Sequence, residues 1–301
     1  MKDNFPGYYP LTEDQMKVFL SSAIIVFDVS ALLDLFRIEE SHANNVLELL
    51  QNDKIKNRLW IPYDVAYLYH QQMNAEIICQ MNNINSALSH LKLCKDIVND
   101  TKRYPYLSTD MKIKLEQIVA AVDDFCKSQK DALVNQLKTS SIKSNLGTLF
   151  DDKMGKGYTD SELENIYKEA NTRFTKLIPP GYLVADLSDN RKKYHDLIIW
   201  KQILAYAKDK HKDIVLVTGK IKEDWYYVVR DEEVVPRQEL VNEFMGITGK
   251  RYYSFSLYRF IEKCHTVLNI NIPECATLID ALKEKVQYAS VQQNLSQVNQ
   301  V

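Results

Sequence analysis

Two short runs constrain this chain more than any other feature: Ala23-Ile-Ile-Val-Phe-Asp28 and Asp213-Ile-Val-Leu-Val-Thr218. Both are apolar and β-branched, without the polar alternation of a half-wetted strand. Each therefore reads as a strand buried on both faces of a parallel sheet. Parallel strands need crossover connections, and helical patterns lie between and around these runs. Ser30 is placed to cap a helix over 31–37, and a second helix covers 40–50. Leu59-Trp60-Ile61 reads as a short strand stopped by Pro62. Further helices are predicted over 160–174, 195–207 and 236–245. A last strand is predicted over 252–255, with its helix over 257–268. The class is α/β, with a mainly parallel central sheet flanked by helices. In such sheets the functional crevice lies beyond the carboxyl ends of the strands, where Asp28 and Thr218-Gly219-Lys220 stand.

The second constraint is a stretch without glycine or proline over 63–98. There Val65, Leu68, Ile77, Met81, Ile84, Leu88 and Leu91 recur at helical steps. A second long helix over 109–137 follows the Tyr104-Pro105-Tyr106 turn, with Ile113, Leu115, Ile118, Val122 and Phe125 expected to face inward. Together they predict a long helical arm, inserted at about 63–140 into an α/β domain spanning 15–270. Residues 271–301 read as a C-terminal helix and a polar tail rich in Gln, Asn and Ser. The arm and the tail are both candidates for docking a protein partner.

Composition narrows the class further. With 8 Gly and 8 Pro in 301 residues, a loop-rich β-sandwich is a poor fit. The net charge of −2 supplies no global basic field, so any nucleic-acid site must be a local patch. Five cysteines (Cys79, Cys94, Cys126, Cys264 and Cys275), none spaced as CxxC, suit reduced thiols in a cytoplasmic protein. The N-terminus has no apolar signal core and no run is long enough to span a bilayer, so no membrane role is expected.

Asp28, ending a buried strand, is where a hard-cation ligand would stand, and it equally suits a helix cap. Asp196 opens a predicted helix, where a first-turn acid is favoured by the dipole in any case. Asp224 follows the loop after the second strand and is compatible with plain turn chemistry. His195 beside Asp196 is either an acid–base pair or a capping histidine. Arg191, Lys192 and Lys193, with Lys220 and Lys222, are basic residues close in sequence to the crevice and are candidate phosphate contacts. There is no GxxxxGK[ST], GxSxG or HExxH.

Taken in order, several blocks resemble one family. Phe27-Asp28-Val29-Ser30-Ala31-Leu32-Leu33-Asp34-Leu35-Phe36-Arg37 is similar to the pattern FDTNVLLNLYR that opens the bacterial PIN-like family, often found beside defence genes. Trp60-Ile61-Pro62, the block 149–156, Ile178-Pro179-Pro180-Gly181, Tyr194-His195-Asp196 and Lys222-Glu223-Asp224-Trp225 resemble its later blocks, as does Pro236-Arg237-Gln238-Glu239-Leu240. The resemblance covers about 20–265. It implies a PIN-like metal-dependent nuclease acting on RNA or single-stranded DNA, within antiphage defence or a toxin-like system. Asp28, Asp196 and Asp224 would hold Mg²⁺ or Mn²⁺, which activates water and stabilises the phosphoryl oxygens.

The departures from the family pattern are as informative. The family's glutamate after the second strand falls at Leu68, and the acids of its TDD block fall at Gly219 and Lys220. A like charge at ~4 Å costs about 4 kcal/mol at an effective dielectric of ~20, and about twice that against a divalent ion. The site is therefore partly degenerate. Either Asp224, Glu223 or Glu243 folds back to supply oxygens, or Lys220 replaces the metal beside Asp28 and Asp196. The alternative function is a catalytically inactive PIN-fold subunit that binds nucleic acid or partner proteins in a larger assembly.

Overall fold

The computed structural model describes residues 1, 6–9, 11–100, 102, 107–183, 188–229 and 232–284. The tail expected at the C-terminus lies outside them from 285 onward.

The described chain is mostly helical and divides into two compact units, 1–69 with 145–301, and 70–144. In the first unit a 3-10 turn, Pro6–Tyr8, precedes α1 (Glu13–Ser22), which opens on a Thr12–Gln15 capping box. Then follow β1 (Ile24–Phe27), α2 (Val29–Asp34), α3 (Glu40–Gln51), α4 (Asp53–Lys56) and β2 (Leu59–Trp60). The long α5 (Tyr63–Asn99) begins in this unit and continues into the other. The second unit contains the rest of α5, α6 (Thr109–Lys138) and the start of α7 (Ser141–Phe150). The first unit resumes within α7 and runs through α8 (Asp160–Thr175), α9 (Asn190–Lys193), α10 (His195–Lys210) and β3 (Ile214–Thr218). A hairpin of β4 (Tyr226–Val229) and β5 (Glu232–Pro236) comes next, then α11 (Gln238–Thr248), β6 (Tyr252–Ser256) and α12 (Leu257–Thr266), with helical residues again at 275–284.

The four-stranded sheet has the order β2-β1-β3-β6, and every pairing is parallel. Val26 is paired with Leu216, and Phe27 with Val217, so the two central strands end level with one another. From β1 the chain moves outward to β2, and from β3 it moves outward on the other side to β6. The order thus reverses between β1 and β3, which opens a crevice at their carboxyl ends. Strand β3 is buried along its whole length, as its run of Ile, Val and Leu predicts. Leu68 is buried as well, at the start of α5.

Two expectations need correction, and one element was not foreseen. The helix after β1 starts at Val29, with Asp28 rather than Ser30 as its cap. The β4–β5 hairpin was not visible as a strand pattern in the sequence. In the arm, Ile113, Ile118 and Phe125 are exposed, while Val119, Cys126 and Leu133 are the buried residues of α6. The seven-residue spacing of that trio is the period of a helix-pairing seam, whereas the exposed three sit on a different phase. Lys92 on α5 and Asp123 on α6 form an ion pair of 2.7 Å within this unit. No helix among the described residues is long and apolar enough to cross a membrane. All five cysteines are free.

Candidate functional site

The site is built outward from the ends of β1 and β3. Asp28 leaves β1 in extended backbone and accepts from the Ser30 amide at 3.4 Å, starting α2. The same carboxylate oxygen accepts the Ser30 hydroxyl at 2.6 Å and the Thr218 hydroxyl at 3.3 Å. Ser30 Oγ in turn accepts the Gly219 amide at 2.9 Å. These bonds tie the tips of the two central strands into one polar knot.

Gly219 belongs to that knot for a steric reason. A Cβ there would land on Asp34 Oδ2 and lie 2.7 Å from the Ser30 carbonyl oxygen. Asp34, which sequence reading did not single out, is buried and pairs with Arg37 at 3.0 Å. Its carboxylate therefore occupies the space into which a side chain at 219 would grow.

Asp196, in the first turn of α10, faces the same crevice and is buried. One oxygen accepts Lys222 Nζ at 2.7 Å, and the other lies 3.1 Å from His195 Nε2. His195 Nδ1 lies 2.6 Å from the Lys192 carbonyl oxygen. Both ring nitrogens thus face oxygen atoms that accept. Burial opposes the charge on His195, but Asp196 outweighs it and raises the imidazole's pKa. Burial likewise works against the Asp196 carboxylate, yet His195 and Lys222 hold its pKa far below the usual range. Lys222 is raised in the same balance, by Asp196 first and then by Asp224 and Asp28.

Asp224 is fully buried. Its Oδ2 accepts the Gly181 amide at 2.7 Å, whereas Oδ1 is buried without a hydrogen-bond partner. Burial, and then the charge of Asp196, raise its pKa. Gly181 has a φ of 99°, and a Cβ on it would stand 3.2 Å from Asp196 Cβ, so the loop approaches as closely as it does because the residue is glycine. The turn that presents Lys222 and Asp224 is fixed by the Trp225 and Tyr226 amides, both donating to the Lys222 carbonyl oxygen. Trp225 anchors it by packing edge-on against buried Trp200. Asp28, Asp196, Thr218, Lys220 and Lys222, with the apolar wall of Trp225, enclose a cavity of about 10 Å³, enough for one water-sized occupant.

Of the three acids expected from sequence, Asp28 and Asp196 line this cavity and Asp224 does not, and one lysine pairs with Asp196. That lysine is Lys222, not the expected Lys220. Lys220 lines the cavity and meets the Thr218 hydroxyl through its backbone amide and carbonyl groups. Glu243 does not fold back toward the acids. It accepts from Arg173 at 2.6 Å and 2.8 Å and from Trp200 Nε1 at 3.0 Å. Glu223 is exposed.

Arg191 has a different role from the expected phosphate contact. Its Nε and one terminal nitrogen each lie 2.7 Å from the buried carboxylate of Asp64, and its guanidinium lies 4.2 Å from the Tyr67 ring centre. Gln202 completes the arrangement, donating to the other Asp64 oxygen at 2.9 Å and accepting the Asp64 amide at 3.2 Å. Lys192 is exposed and stands 3.9 Å from Asp189, and Lys193 lies against the Tyr194 ring. Asp64 was missed because one acid in the first turn of a helix carries no distinguishing pattern.

The fit of Mg²⁺ or Mn²⁺ can be judged on the donors. Asp196 has both oxygens engaged, one by a cation. Asp28 is committed through Oδ2, and Asp224 through Oδ2. Among the described residues no group of three or more His, Cys, Asp or Glu is placed to hold a metal ion. With Lys222 in position, the donor set does not fit a hard divalent cation.

A family model for the PIN like domain matches residues 24–240 of the chain. No curated protein and no solved structure matches it.

Proposed function

The chain belongs to the PIN-like domain family, a nuclease-type fold, and from that premise we propose that it binds single-stranded nucleic acid across the crevice between β1 and β3 without metal-dependent cleavage. The observation that supports this reading is the ammonium of Lys222 on buried Asp196, in the cavity that Asp28 also lines. Lys220 at the rim of the cavity, with the exposed Lys192 on α9, supplies charge for backbone phosphates. Binding of this kind weakens steeply as salt rises, because phosphate contacts release counterions.

The test is binding and cleavage of labelled single-stranded RNA and DNA with Mn²⁺, Mg²⁺ or EDTA, beside the Lys220→Glu and Asp28→Asn variants. We expect salt-sensitive binding that EDTA leaves intact and Lys220→Glu weakens, with intact strands throughout. Absence of binding by the folded protein would overturn the reading. A second reading, a metal-dependent nuclease, is favoured by the partnerless Oδ1 of buried Asp224, since a carboxylate in that state is an incomplete ligand. Cleavage that needs a divalent ion and disappears in Asp28→Asn would establish it and refute the first.

A further inference from the structure

We infer that Lys222 Nζ is the resident cation of the Asp28–Asp196–Asp224 centre, and that a hard divalent ion binds this centre only when that ammonium is removed. This inference rests on the reading of the crevice as a metal-free site and deepens it.

Three observations support it. First, the ammonium is delivered by a built turn and not by a loose surface side chain. Both the Trp225 and Tyr226 amides donate to the Lys222 carbonyl oxygen, and Trp225 itself is buried against Trp200. Second, the ammonium sits 2.7 Å from Asp196 Oδ2, on an oxygen that a bound ion would need, while Asp28 lines the same cavity. Third, Asp224 Oδ1 is buried without a partner, on an acid whose charge acts on Lys222. Two oxygens that a metal would take are thus arranged differently: one holds the lysine, and the other holds nothing. Here the ammonium is hydrogen-bonded to one carboxylate, that of Asp196, whereas a divalent ion draws oxygens from several. Deleting the lysine leaves Asp196 with only His195 as an ion-pair partner among the described residues, and that raises the site's attraction for a hard dication.

The experiment is a Mn²⁺ titration followed by the loss of the free-ion EPR signal, on the full chain. Wild type, Lys222→Met and Lys222→Met/Asp196→Asn are compared, with thermal melts in Mn²⁺ and in Na⁺ of equal ionic strength. We expect Lys222→Met to bind Mn²⁺ at least tenfold more tightly than wild type, and the double variant to lose that gain. Should Lys222→Met prove unstable, Mn²⁺ but not Na⁺ raises its melting temperature, and neither raises that of wild type. The inference is overturned if wild type binds Mn²⁺ as tightly as Lys222→Met. It is overturned equally if Lys222→Met gains neither affinity nor a Mn²⁺-dependent rise in melting temperature. Because the readout is metal occupancy, failure here is distinguishable from failure to bind nucleic acid.

Discussion

Replacing Arg191 separates a structural role from a nucleic-acid contact more sharply than any other single change. Asp64 is completely buried, and two Arg191 nitrogens lie 2.7 Å from its Oδ1. In Arg191→Met the carboxylate keeps only Gln202 Nε2, a neutral donor at 2.9 Å. Breaking a buried pair from one side typically costs about 3–5 kcal/mol, because the remaining charge is left uncompensated. The Arg191 side chain is 25% exposed, so water can enter where the guanidinium was, and we expect a cost discounted below that range, about 2–3 kcal/mol. Urea unfolding measures this directly. Asp64→Asn and the double variant Asp64→Asn/Arg191→Met close a cycle whose coupling should exceed about 1 kcal/mol. A solvated arginine that merely touches phosphate predicts the opposite pattern, with stability within about 0.5 kcal/mol of wild type and weakened nucleic-acid binding. That outcome would refute the assignment of Arg191 to Asp64.

The remaining expectations concern the centre itself. Gly219→Asp, which restores one acid of the family pattern, should destabilise the fold and not rebuild a metal site, since its Cβ meets Asp34 and the Ser30 backbone. Thermal melts with and without Mn²⁺ check it, and a stable Mn²⁺-binding variant would contradict it. Asp224 has a raised pKa, so its contribution is fully present below the unfolded value of about 3.9 and is lost as pH rises through the folded value. The melting temperature of Asp224→Asn minus that of wild type should therefore increase between pH 4 and pH 7. Asp196 is depressed, so its contribution is present above about 3.9 and is lost as pH falls below that. Asp196→Asn should accordingly flatten the acid side of the stability profile, measured by melts between pH 5 and pH 2.

What the sequence revealed, and what it concealed, follows from the range over which each interaction acts. Strands β1 and β3 were readable because a doubly buried strand is a continuous apolar run, and that is a local property. Asp28, at the end of one of them, was placed by the same signal. The identity of the lysine at the centre was not local. Lys220 and Lys222 are two residues apart, and the choice between them depends on the turn that Trp225 anchors against Trp200, 25 positions earlier on α10. Asp34 and Asp64 look like ordinary polar helix positions until the fold brings Gly219 and Arg191 against them. The arm failed differently: Ile113, Ile118 and Phe125 are apolar but off the seam, so composition without phase misassigned them. Once Lys222 is located, the departures at Leu68, Gly219 and Lys220 are better read as one change than as three separate losses. Fewer carboxylates at the centre leave less negative charge to balance. One ammonium, on Asp196 beside His195, then offsets much of the charge of this acidic set, where a fuller one would call for a divalent ion.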